Sequence, residues 1–226
     1  MPEEMSLKAA LFKIFASIIL LGGMLFFLGG RFNWPQAWVY MFFYAAWALG
    51  TVPWLKKHNP ELLRKRLLVT LKAKALWDRI FIEVNLFLYV SMMVTTSLDA
   101  GLKRPEVPVY INILAFAGLF AGYALIFYTF KVNKYAIKIV KVVEGQQVVS
   151  AGPYAVVRHP MYAAVSLLYL STPPALGSWY GLIPAALMVL SVLFRAHFEE
   201  KTLTKELPGY SEYAQKVKYR LIPGVW

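Results

Sequence analysis

Six apolar stretches, at about 11–30, 35–55, 80–98, 109–130, 160–172 and 178–195, constrain this chain more than any other feature of its sequence. A helix needs about 20 apolar residues to cross the hydrocarbon of a bilayer, and the first four stretches are close to that length. The fifth is short. Thr172-Pro173-Pro174 and Gly177-Ser178 follow its apolar core, so the last two stretches read as the halves of a tight helical hairpin. Backbone polar groups in lipid must be satisfied within their own segment, which predicts an all-α, polytopic transmembrane bundle of about six membrane segments. With 226 residues, 59% of them hydrophobic, the chain is too apolar for an ordinary soluble domain of its size, and no repeat or low-complexity segment divides it. Residues 1–226 therefore form a single integral membrane domain, with four membrane segments in 1–130 and the polar motifs concentrated in 131–226.

The charge pattern orients the bundle. The 56–79 connection holds Lys56, Lys57, Arg64, Lys65, Arg66, Lys72, Lys74 and Arg79; the 131–158 connection holds Lys131, Lys134, Lys138, Lys141 and Arg158. The tail from Arg195 adds Lys201, Lys205, Lys216, Lys218 and Arg220, whereas the alternate connections bring only Arg31, Lys103 and Arg104. Basic residues mark cytoplasmic loops, so both termini and every polar motif of the chain are expected on the cytosolic side of a multi-pass protein. The net charge of +12 sits between apolar runs, which points to anionic membrane lipids or an acidic substrate and away from nucleic acid. The chain has no cysteine, which excludes a disulfide framework, a thiolate nucleophile and thiolate metal ligands.

Within the connections, Asn59-Pro60-Glu61-Leu62-Leu63-Arg64-Lys65-Arg66 starts a helix with proline in its first turn, suited to lie on anionic headgroups. Residues 131–143 are rich in β-branched side chains with partial alternation, which predicts an extended path across the cytosolic face, and Glu144-Gly145-Gln146-Gln147 reads as a turn.

Arg158-His159-Pro160 stands at the mouth of the fifth segment, with Pro160 placed for a helix start. Unpaired N–H groups at such a start, reinforced by Arg158, favour an anion such as a carboxylate; the plainer alternative is a snorkelling arginine beside an interfacial histidine. At the far end of the hairpin, Arg195 and Glu199 are four residues apart and share a helical face with Leu203, so they can pair while Glu200 points elsewhere. A solvated helix end is one reading; a site in which both glutamates face back toward Arg158 and His159 is the other. His159, His197, Glu199 and Glu200 match no metal-binding spacing, so no metal is expected, and no phosphate-binding or nucleophile-elbow motif is present.

Taken together, Gly152-Pro153-Tyr154, Arg158-His159-Pro160-x-Tyr162, Glu199-Glu200-x-x-Leu203, Gly209-Tyr210-x-x-Tyr213 and Arg220-Leu221-Ile222-Pro223 resemble the isoprenylcysteine carboxyl methyltransferase family of integral membrane enzymes and its phospholipid methyltransferase relatives. The motifs run in family order through the C-terminal half. Asn133 and Gln146 resemble positions used in bacterial members, and Asn59 to Arg66 resembles their earlier cytoplasmic loop.

The resemblance implies S-adenosylmethionine as methyl donor, bound on the cytosolic face, with 131–226 as the cofactor-binding and catalytic part. On it, His159 and Tyr162 hold the methionine moiety; Glu199 or Glu200 takes its ammonium or the ribose hydroxyls; and Gly152 and Tyr154 shape the cofactor loop, with Asn133, Gln146, Pro160 and Leu203 completing the cofactor-binding set. Arg158, Arg220 and Glu199 are the catalytic candidates. Arg158, at the helix start, is assigned to the donor carboxylate, and Arg220, in a tail able to fold back over the hairpin, to the acceptor side. The acceptor is expected to be a hydrophobic molecule entering from the bilayer, foremost a carboxylate such as that of prenylcysteine. A lipid amine or a small hydrophobic thiol is the alternative acceptor. Two other readings are a nicotinamide-dependent membrane reductase and a non-enzymatic membrane protein of the same fold.

Overall fold

The computed structural model describes residues 7–67, 75–102, 106–137 and 139–226, and within them the regular secondary structure is all helical, with no strand. Eight α-helices follow in order: α1 Leu7–Gly29, α2 Pro35–His58, α3 Pro60–Leu67, α4 Leu76–Gly101, α5 Val109–Val132, α6 Pro160–Ala175, α7 Leu182–Glu206 and α8 Tyr210–Lys216. A single 3-10 turn, Gly152–Ala155, precedes α6. Lys72, Lys74, Lys103, Arg104 and Lys138, counted above among the basic connections, lie outside the described residues.

All six apolar stretches become helices. Of these, α1, α4, α5 and α7 are long and apolar enough to cross a membrane. α2 has the length, 24 residues, but its tryptophans and tyrosines dilute its hydropathy, and α6 has only 16 residues. Pro173 and Pro174 do not end the fifth segment as the sequence suggested: they remain in the last turn of α6, and Ser178 N–H bonds the Pro173 carbonyl just beyond it. α7 likewise runs unbroken through Arg195 to Glu206.

The bundle core gathers Leu25, Trp34, Met92, Met93, Leu119 and Met188, all essentially buried. Phe12, Leu20, Phe27, Phe42, Phe87, Phe120 and Phe194 point outward instead, an apolar exterior that suits lipid and not water. Three of the polar groups that enter the interior pair across helices or with the α6–α7 turn: Asn85 Nδ2 donates to Ser191 Oγ at 2.7 Å, Asn112 Nδ2 to the Pro174 carbonyl at 2.5 Å, and Ser178 Oγ to Asp99 at 2.7 Å.

α5 and α6 pack most closely. Gly118 and Gly122 present a backbone ridge to α6, where a Cβ on Gly122 would come within 2.7 Å of Leu168 Cδ2 and 3.2 Å of the Ala164 carbonyl. Small residues four apart let membrane helices approach in this way. α5 ends at Asn133, and α6 begins after the connection 133–159, so the tight α5–α6 contact places both ends of that connection side by side.

α3 forms as expected, with Asn59 Oδ1 accepting the Leu62 N–H at 3.0 Å and the Glu61–Lys65 pair on its outer face at 2.6 Å. The connection after α5 has the expected turn at Gly145, which adopts φ +71°, but no strand forms among its described residues. Its β-branched residues have no neighbouring sheet edge to pair with, and they pack against α3 and α8 instead.

Candidate functional site

Arg158 and His159 meet the tail of the chain, which folds back over the hairpin. The Arg158 N–H donates to the Tyr219 carbonyl and the His159 N–H to the Arg220 carbonyl, both at 2.9 Å, and Leu221 is buried against Val192 and Ala196 of α7. This clasp brings Arg220, remote in sequence, to the same carboxylate as Arg158.

That carboxylate is Glu200. Arg158 Nε donates to its Oε1 at 2.5 Å, His159 Nε2 to Oε1 at 3.2 Å, and Arg220 Nε to Oε2 at 2.7 Å. Arg158 also donates to the carbonyls of Val217 at 2.7 Å and Lys218 at 2.8 Å. The two arginines, assigned from the sequence to different ligands, therefore share one internal partner, and Glu200 locks α7, the start of α6 and the tail together.

Glu199 faces the other way round the helix. It accepts a hydrogen bond from the Tyr162 hydroxyl, and its Oε2 lies 3.9 Å from His159 Nδ1. The His159 and Tyr162 rings stack at 5.4 Å. In place of the expected Arg195–Glu199 pair, Arg195 reaches Asp78 of α4 at 2.8 Å, because a fully buried carboxylate in an apolar bundle claims the guanidinium ahead of a partly exposed neighbour.

Beside Glu199 opens a cavity of about 830 Å³, its open mouth included. Of the residues singled out from the sequence, Asn133, Gln146, Tyr154, Arg158, His159, Tyr162, Glu199 and Leu203 line it. Glu200 and Arg220 line an outer groove with His197 instead, on the far side of the clasp. Gly152 and Pro160 act on backbone shape. Gly152 holds φ +58°, where a Cβ would meet the Tyr128 hydroxyl and Val132 Cγ1 at 3.1 Å, so this left-handed turn against α5 suits glycine.

The loop side of the cavity is tied by side chains. Asn133 Nδ2 donates to the Tyr154 hydroxyl at 2.8 Å, Tyr213 OH donates to the Tyr154 carbonyl at 2.8 Å, and Gln146 Oε1 accepts the Val143 N–H at 3.0 Å. Burial pushes the Tyr154 hydroxyl up to about 12, against the Asn133 hydrogen bond and with the help of the Glu199 charge, so it stays protonated at neutral pH. Sequence reasoning did not include Ile137, Ile139, Val148, Tyr210 and Tyr213, which supply an apolar and aromatic wall. The Gly209-Tyr210-x-x-Tyr213 motif carried the signal for the last two. Among the described residues no group of histidines and carboxylates is placed to hold a metal.

An all-helical bundle with an apolar exterior, and four helices long and apolar enough to cross a membrane, defines the class of integral membrane proteins. Residues 110–210, from α5 to the start of α8, match the family model described as phospholipid methyltransferase. The family implies methyl transfer at a membrane. The match holds every cavity residue named above except Tyr213, and it leaves out α1 to α4 and Arg220. No curated protein matches the chain.

Proposed function

We propose that this protein transfers a methyl group from S-adenosylmethionine to an acceptor that partitions into the bilayer, foremost a carboxylate such as that of prenylcysteine. The observation that carries the donor assignment is Glu199: its carboxylate borders the cavity, held by a phenol and not neutralised by a guanidinium, beside an imidazole and opposite an apolar wall. The residues present fit the donor. Glu199 would take its ammonium, Arg158 and Lys141 its carboxylate, and Ile137, Ile139, Val148 and Leu203 its adenine, while Asn133, Tyr154 and Gln146 offer polar groups to the ribose.

When bound, the donor supplies an electrophilic methyl on a sulfonium, and displacement in line by the acceptor neutralises charge when the acceptor is anionic. The protein's part is then alignment and exclusion of water. A carboxylate acceptor needs no base. For an amine or thiol acceptor, with His159 Nε2 engaged by Glu200 and His197 on the outer groove, the bases left at the cavity are His159 Nδ1 and Glu199. The name of the matched family favours a second reading, methylation of a lipid amine, with His159 Nδ1 or Glu199 as proton acceptor. The basic cytosolic face suits anionic lipids in either case.

Calorimetric titration with S-adenosylhomocysteine, followed by transfer of labelled methyl to an S-prenylcysteine analogue, an aminolipid vesicle and an alkyl thiol, tests the proposal. Donor-product binding with methylation of the prenylcysteine analogue is expected. Transfer to the aminolipid alone would move the assignment to the second reading. Binding of a nicotinamide cofactor in place of S-adenosylhomocysteine would overturn both.

A further inference from the structure

The cavity wall made by residues 133–137 and 139–149 has no helix or strand of its own, and such backbone keeps its shape only through what touches it. Two charged side chains touch it from α3 and α4, helices that contribute no residue to the cavity lining.

Arg66, in the last turn of α3, donates from Nε to the Ala136 carbonyl at 2.9 Å. Its guanidinium also lies 3.0 Å from Met161 Sδ and covers the Phe130 ring at 4.3 Å. Asp78, in the first turn of α4, is fully buried and accepts the Val140 N–H on Oδ2 at 2.9 Å. Its Oδ1 meets Arg195 at 2.8 Å, and the Arg195 guanidinium lies 4.3 Å from the Phe81 ring and 5.9 Å from the ring of Tyr162, the residue that holds Glu199. Ala136, Met161, Tyr162 and the neighbours of Val140, Ile139 and Lys141, all line the cavity.

A carboxylate and a guanidinium in an apolar bundle could satisfy each other with no loop involved. Here the second oxygen of Asp78 goes to the backbone of the cavity wall, and Arg66 reaches the same wall four residues earlier. We propose that Arg66 and Asp78 are positioning residues of the donor cavity, fixing the backbone at Ala136 and Val140 and thereby the width of the site. The inference rests on the reading of this cavity as the donor site. It concerns residues of α3 and α4, which lie outside the family match.

Arg66→Met keeps the packing of the stem and removes the bond to Ala136. Asp78→Ala removes both of its partners, whereas Asp78→Asn keeps an acceptor for the Val140 N–H. Displacement of a site by about 1 Å can cost roughly a hundredfold, and a wall freed at one of its several holding points is expected to cost about tenfold. Arg66→Met and Asp78→Ala should therefore raise the donor KM and the dissociation constant of S-adenosylhomocysteine about tenfold, with kcat and the acceptor KM within about twofold of wild type. Asp78→Asn should recover most of the donor affinity. A merely structural role predicts equal losses in both substrates and no recovery, and either that pattern or a wild-type donor KM in Arg66→Met would overturn the proposal. Should Asp78→Ala fail to fold, Arg66→Met, on a short helix at the rim, decides alone. Wild-type protein that binds no S-adenosylhomocysteine would overturn the donor reading itself, an outcome distinct from normal wild-type binding with unaffected variants.

Discussion

Glu199 and Glu200 are adjacent on one helix, about 100° apart around its axis, and that rotation separates their duties. Glu200 gathers His159, Arg158 and Arg220 and closes the clasp; Glu199 meets only a phenol and an imidazole edge among these contacts and borders the cavity. Hydrogen bonds to charged groups contribute about 1.5–3 kcal/mol, so Glu199→Gln is expected to weaken S-adenosylhomocysteine binding by about tenfold or more with little change in thermal unfolding. Glu200→Gln is expected to lower stability by about 2 kcal/mol, on the order of 5 °C in Tm for a chain of this size. Calorimetry and thermal unfolding in detergent on both variants check the division, and reversed effects would contradict it. The sequence made the pair legible as one that faces Arg158 and His159, but not which glutamate does what. The i,i+4 spacing of Arg195 and Glu199 pointed to a local pair, and the partner is Asp78, whose burial no local pattern announces. Arg158 and Arg220 converge on Glu200 because the tail hydrogen-bonds to the start of α6, a contact between segments about sixty residues apart that spacing alone does not disclose.

Elements were easier to read than contacts. Apolar length gave all six bundle helices, and the Asn59-Pro60 start gave α3, because helix formation in lipid is dictated by backbone satisfaction. The connection after α5 was harder. Its β-branched residues suggest extension, yet its conformation is set by Arg66, Asp78 and Tyr213, each from elsewhere in the chain, and by the Asn133–Tyr154 bond within it. The α5–α6 contact is its foundation, and Gly122→Ile tests it: the added side chain meets Leu168 and the Ala164 carbonyl, and overpacking of this kind costs about 1–3 kcal/mol. A lower Tm together with weaker S-adenosylhomocysteine binding is expected, since Asn133 caps α5 and Tyr162 sits on α6, the two helices so displaced. An unchanged Tm would show that the helices tolerate wider spacing.

For the molecule as a whole, the asymmetry of basic residues predicts a cytosolic position for α3 and the connection after α5. Since the chain has no cysteine, single substitutions Lys65→Cys and Glu106→Cys can be labelled in sealed vesicles with an impermeant thiol reagent. Labelling of the two from opposite sides, Lys65→Cys from the cytosolic one, is expected, and labelling of both from the same side would refute the six-segment arrangement. The overall bundle was legible because hydropathy acts along the chain; the site was legible only as a set of motifs, since its shape depends on how α3, α4 and the tail close around them. The brevity of α6 has a consequence for the surrounding lipid. Sixteen residues rise about 24 Å, less than the roughly 30 Å of hydrocarbon in a typical bilayer, and Arg158 and His159 stand immediately at its end. A membrane meets a short segment by thinning around it, so the leaflet is drawn inward beside the cavity and the headgroups of neighbouring lipids descend to the level of the site. Acyl-chain length then becomes a control on turnover: in nanodiscs, methyl transfer is expected to be faster in short-chain than in long-chain lipid, with the affinity for S-adenosylhomocysteine the same in both. Equal turnover across thicknesses would show that the acceptor reaches the site without help from the deformed leaflet.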